Sequence, residues 1–312
     1  MNRYTLKAKM AAIVVIMGAF ICARVTVAAA QDSLGSALSF SLLSFASDGD
    51  VEIGIGNASK VTSSLCFNGE VGAGNDIVLG NNGLYSGDVI SYEGDITLNN
   101  YAKVQGQCVT SGGAVTLKVG ASCAGGTDTT GSNGLLSLLD YANQDGGYFA
   151  CDVASGTPTY SASAINIAAG KQFTITDTVS GGLNFIDVPS MTIGNSATLF
   201  LSGGASDTVV LRVDGNTSIG YGAKIMLTGG LTPFNVVIAT QGGISFWGNS
   251  STVNGTVLNG QPFNFNGREC PIGSGVTVNG AVLCEDDLSM GPNARVNFEP
   301  AFAVQVPSTC AD

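Results

Sequence analysis

Ile-Gly-Asn-Ser-Ala-Thr-Leu at 193–199 returns as Ile-Gly-Tyr-Gly-Ala-Lys-Ile at 219–225. The frame is an apolar residue, Gly, a polar pair, a small residue, an outward-type residue and a second apolar residue. It recurs as Trp-Gly-Asn-Ser-Ser-Thr-Val at 247–253, Ile-Gly-Ser-Gly-Val-Thr-Val at 272–278 and Met-Gly-Pro-Asn-Ala-Arg-Val at 290–296. Ile-Ala-Ala-Gly-Lys-Gln-Phe at 167–173 fits with Ala168 in the Gly place. From Ala168 onward, successive Gly places are 26, 26, 28, 25 and 18 residues apart. A period in this range means a solenoid, whose units bury an apolar side only by stacking on neighbours.

The frame reaches back into the first half. Ile-Gly-Asn-Ala-Ser-Lys-Val at 55–61 fits it, and Leu-Asn-Asn-Tyr-Ala-Lys-Val at 98–104 fits with Asn99 for Gly, Asn being the next best residue at positive φ. Leu-Gly-Asn-Asn-Gly-Leu-Tyr at 79–85 is a looser copy. The apolar ends must point inward, so by strand alternation the residue before the second apolar one points outward. That outward column reads Gln172, Thr198, Lys224, Thr252, Thr277 and Arg295, with Lys60 and Lys103 in the early copies. A second outward position, two places before the Gly, reads Thr192, Ser218, Phe246, Pro271 and Ser289. Rows of short, stiff Thr side chains suit contact with an ordered surface, because little rotamer entropy is lost. Lys224 and Arg295 interrupt such a row; they suit acidic polysaccharide better than ice, or merely keep the exposed sheet soluble. Trp247 takes an inward slot.

The first 30 residues read as a signal peptide: basic Arg3, Lys7 and Lys9, an apolar run, then Ala28-Ala29-Ala30 before Gln31. The run is too short for a comfortable membrane span. Removing it leaves eight basic and 23 acidic residues, a net of −15, which argues against nucleic acid as a partner. The 44 glycines and 11% charged residues depart from the ordinary ~7% Gly and ~25% charge in the direction of β-structure rich in turns. Residues 31–312 are expected to form one domain.

Seven cysteines follow residue 30: Cys66, Cys108, Cys123, Cys151, Cys270, Cys284 and Cys310. Export favours disulfides. Cys270 and Cys284 bracket one turn of the repeat and are the first expected pair; the odd count leaves one thiol free or paired between chains.

Residues 34–43 are expected to form a capping segment. Leu135, Leu138, Leu139 and Ala142 lie at i, i+3, i+4 and i+7, with Asn133 as a cap and Gly146-Gly147 as a stop. One helix near 134–144 should therefore cover a side of the solenoid. The strands at 208–213 and 235–240 fall between repeat units, so a coil of ~25 residues holds about three short strands. The expected fold is an all-β, three-sided β-solenoid with one packed α-helix.

The chain contains no His, which removes Ser-His-Asp and Cys-His catalysis and His-ligated metals. No cofactor is expected. Glu285, Asp286 and Asp287 could supply paired carboxylates for glycoside hydrolysis, but read first as an acidic turn. Gly-Ala-Gly-Asn-Asp-Ile-Val at 72–78 looks like one calcium-binding nonapeptide unit, but the following unit has Tyr85 in place of Asp. Asn57, Asn216, Asn249 and Asn254 sit in glycan-acceptor sequences.

Leu34-Gly35-Ser36-Ala37 with Ser39-Phe40 precedes the solenoid and helix. Phe234-Asn235-Val236-Val237, Val253-Asn254-Gly255-Thr256-Val257-Leu258 and Val278-Asn279-Gly280-Ala281-Val282-Leu283 follow. This order resembles the ice-binding-protein-like family of secreted β-solenoids, and the later part looks like the choice-of-anchor A proteins of bacterial surfaces. The chain departs from the first family in its seven cysteines and less regular first half. The resemblance implies a discontinuous β-helix with a helix alongside and, in some members, a flat face that adsorbs to ice. For this chain it implies a secreted, non-catalytic protein with Thr192, Thr198, Ser218, Lys224, Thr252 and Thr277 on the binding surface. The partner is ice, or extracellular polysaccharide if the chain is an adhesin or matrix protein, with no membrane span.

Overall fold

The computed structural model describes residues 37, 39–45, 51–63, 69–132, 134–176, 180–240, 244–245, 249–259, 270–299, 301 and 304. The segment 1–30 expected to be a signal peptide, Cys66, Cys310, Asn133, Phe246 and Trp247 lie outside them. The chain is a three-sided β-solenoid. Among the described residues side one is an eleven-stranded sheet, side three a ten-stranded sheet, and side two a six-stranded and a four-stranded sheet placed end to end. Every strand pair is parallel and, except at Phe40/Leu42, stacks residue on residue.

Ten coils carry the heptad frame at the corner between sides two and three. Alternation sends its apolar ends inward, so Ile193, Leu199, Ile219, Ile225, Ile272 and Val278 are buried in one interior core. The residue two places after the Gly position is in the left-handed region in every coil, as at Ala58, Asn82, Tyr101, Ser196, Gly222, Ser250, Gly275 and Asn293. The glycine itself has a different role from the one its sequence suggests. It permits backbones of adjacent coils to touch: a Cβ on Gly56 would meet Pro292 N at 2.7 Å, and one on Gly194 would meet Ala169 N at 2.8 Å. Residues 117–123, Leu-Lys-Val-Gly-Ala-Ser-Cys, form a tenth copy that hides in the sequence because Lys118 and Val119 replace the usual residues.

The coils are not stacked in chain order. The first described strand, Phe40–Ser44, lies inside side one, between Glu70–Ala73 and Val282–Cys284. From there the chain climbs to Thr127–Asp128 at one end, crosses to Tyr160–Ser161 at the other, and climbs back. The expectation of a capping segment at 34–43 is therefore corrected: this strand sits mid-stack. Leu42 faces the interior while Phe40 and Leu43 face the helix, so both faces are buried and its apolar residues do not alternate.

Helix α1 (Leu135–Ser155) makes the crossing and covers side one. Its 21 residues span ~32 Å, against ~48 Å for eleven stacked strands. Leu139, Ala142, Phe149 and Val153 pack on Phe40, Ile90, Phe185, Val210 and Val237 from the outer face of side one. The helix passes through the Gly146-Gly147 expected to stop it, and its N-cap is Gly134. Gly146 is buried against the Phe45 ring and Gly147 faces open space, so the packing of the helix as a whole on side one overrides the ~1 kcal/mol propensity cost of each glycine.

Arg212, on side one, holds the helix's C-terminal end. Its Nη1 donates to the carbonyls of Val153 (2.9 Å), Ala154 (2.6 Å) and Gly156 (3.1 Å), and Nη2 pairs with Asp187. The guanidinium also lies 5.6 Å from the Phe185 ring centre. The last turn has no basic residue of its own, so a cation from the sheet neutralises the open carbonyls.

The Cys270–Cys284 disulfide is present, joining sides two and one through the core. Cys108–Cys123 closes the terminal coil of the first half, and Cys151 is also disulfide-bonded.

Candidate functional surface

The two columns foreseen in the sequence lie on different sides. Thr198, Lys224, Thr252 and Thr277 belong to side three; Thr192 and Ser218 belong to side two. Alternation marks a residue as outward but does not say which of two adjoining faces it serves. The frame's corner separates them.

On side three the strand register gives one continuous column: Ser122, Lys103, Leu84, Lys60, Arg295, Thr277, Thr252, Lys224, Thr198 and Gln172. Lys60, Lys103, Lys224 and Arg295 are exposed; Thr198, Thr252 and Thr277 are half-buried. Two residues along each strand runs an amide ladder missed in the sequence. Asn297 Nδ2 donates to Asn279 Oδ1 and Asn279 Nδ2 to Asn254 Oδ1, each at 2.7 Å. Thr62 extends the ladder onto Asn297. Asn254 Nδ2 also donates to the Ile225 carbonyl, so this glycan-acceptor residue is committed within the sheet.

On side two the column is Thr116, Thr97, Val78, Gly54, Ser289 and Pro271 in the larger sheet, then Ser245, Ser218, Thr192 and Asn166 in the smaller. Ser245, not Phe246, is the register partner of Ser218, which corrects the sequence-based column by one residue. Each of these strands is three residues long or shorter, and at Gly54, Val78, Thr97, Asn166, Thr192, Ser218, Pro271 and Ser289 a single central residue stands between two buried ones. No member of the column is charged.

The carboxylates serve the coil corners instead. Asp95 N–H donates to Asp76 Oδ1 (2.6 Å), Ala114 N–H to Asp95 Oδ1 (2.8 Å) and Glu52 N–H to Asp287 Oδ1 (2.8 Å). Asp76, of the calcium-like stretch, and Asp287, of the acidic turn, are thus both ladder acceptors where the chain leaves side one for side two. Among the described residues no three His, Cys, Asp or Glu side chains gather to hold a metal. No described helix is long and apolar enough to cross a membrane.

No protein-family model matches the sequence, and no curated protein matches it. Solved structures of ice-binding proteins are similar to it. One, from the Antarctic ascomycete Antarctomyces psychrotrophicus, is 15% identical, with 85% of this chain and 97% of that chain covered and a TM-score of 0.47. Another, from an Antarctic biological consortium, is 15% identical, covering 84% and 89%, with a TM-score of 0.49. A third, from an Arctic yeast, is 17% identical, covering 89% and 97%, with a TM-score of 0.47.

Proposed function

We propose that this chain is an exported, non-catalytic protein that adsorbs to ice through side two. The observation that carries this reading is the uncharged column of ten in-register positions, seven of them Thr, Ser or Asn, with Val78, Gly54 and Pro271 interrupting it mid-stack. An ice lattice offers fixed, neutral hydrogen-bonding sites. A long mobile cation presented to it must give up rotamer entropy and strong hydration, whereas short branched side chains give up little. Side three carries four such cations and is the poorer candidate.

The test is partitioning of the oxidised mature protein into a slowly grown ice front. Enrichment of the wild type, lost in Thr192→Tyr and kept in Thr252→Tyr, supports side two. Loss in Thr252→Tyr alone moves the activity to side three. Exclusion of the wild type from ice overturns the proposal.

A further inference from the structure

We propose that side three is a docking surface for an acidic polysaccharide, one that carries a carboxylate on each sugar ring. This does not rest on the ice reading. Lys60 and Arg295 are Cα partners on adjacent strands, and Lys103 and Lys224 lie two and three strands beyond them. At about 4.8 Å per strand the four cations span ~29 Å in one line. Like charges directly opposite each other destabilise a sheet. The chain has 23 acidic residues with which to relieve this repulsion. Yet among the described residues the strands of side three, and the turns entering them from side two, hold no Asp or Glu. The described ion pairs all belong to Arg212, on another side. Among the described residues, the strands of side three thus carry cations and no carboxylate in a protein of strongly negative net charge.

The shape narrows the partner. A straight row on a flat sheet does not converge on a small anion, but it runs parallel to an extended polymer. Tyr101 and Tyr221, 56% and 58% exposed, stand in the corner turns just before Lys103 and Lys224 and offer rings for sugar faces. A nucleic acid would bring a far denser charge against a chain of net −11, or −15 without residues 1–30, which disfavours it.

The experiment measures binding of the oxidised mature protein to immobilised polygalacturonate, with dextran as the neutral control. Retention on polygalacturonate alone, abolished near 1 M salt where the screening length is ~3 Å, is expected. The exposed double variant Lys60→Gln/Arg295→Gln should bind about three- to tenfold more weakly, and Lys103→Gln/Lys224→Gln should do likewise. Ice partitioning should be unchanged in both, which separates this surface from side two. Absence of salt-sensitive retention, equal retention of both variants, or tighter binding to single-stranded DNA or phosphatidylserine vesicles would overturn the proposal.

Discussion

Tyr85 is a large side chain fully buried in the interior, packed beneath Gly83. Among the described residues its hydroxyl has no hydrogen-bond partner. Burial without a partner costs roughly 1–3 kcal/mol and pushes the phenol's pKa well up, because the charged form is desolvated. Tyr85→Phe should therefore raise unfolding free energy by about 1 kcal/mol in urea titrations at neutral pH. The pH dependence follows from the same burial. The folded chain keeps its proton while the unfolded one ionises, so this residue's contribution is flat below the ordinary phenol pKa of about 10 and erodes stability above it. In Tyr85→Phe that share of the alkaline loss should vanish. At this scale the sequence is a good guide to direction, since alternation assigns Ile193 and Leu199 inward and Thr198 outward. It is blind to the orphaned hydroxyl, because a Tyr at an inward place looks like any other large apolar residue.

At the scale of elements, the helix illustrates what local pattern leaves out. Leu135 to Ala142 announce it, but Gly146-Gly147 hide its second half, whose continuation depends on the packing of Phe149 and Val153 against side one and on Arg212 in a distant strand. The strand Phe40–Ser44 is hidden for a related reason: buried on both faces, it carries no alternation to read. Arg212 is the joint between helix and sheet. Arg212→Met removes three carbonyl contacts and strands the Asp187 carboxylate, so it should destabilise by about 3–5 kcal/mol in denaturant titrations. Adding Asp187→Asn should recover much of that loss, because the stranded charge dominates the cost. If the double variant is no more stable than the single, the capping contacts themselves are what matter.

For the molecule as a whole, the repeat makes the solenoid and its three sides legible, while the order of its coils is not. Every coil has the same frame, so nothing in the frame says which coil stacks on which; that choice is made by the crossing of α1 and the fit of Phe40–Ser44 against Val282–Cys284. Pairing Leu42 with Val282 joins residues 240 positions apart. The last described coil, with Arg295–Phe298 on Lys60–Ser63, is therefore a keystone in the middle of the stack rather than a cap at its end. Deleting residues 282–298 should not shorten the solenoid by one coil but part it into two halves tied by the helix. A doubled rate of backbone hydrogen exchange, or more, on both sides of residues 53–63 and 270–280 would show this, whereas confinement of the change to one solenoid end would refute it. A ribosome makes the keystone after the other described coils. Until it emerges, the early coils expose an unpaired strand edge at the centre of the future molecule, the kind of edge that invites other chains to add on. The heaviest demand for protection during synthesis thus falls on the seam, and a cell that makes this protein must keep that edge occupied until the keystone coil arrives.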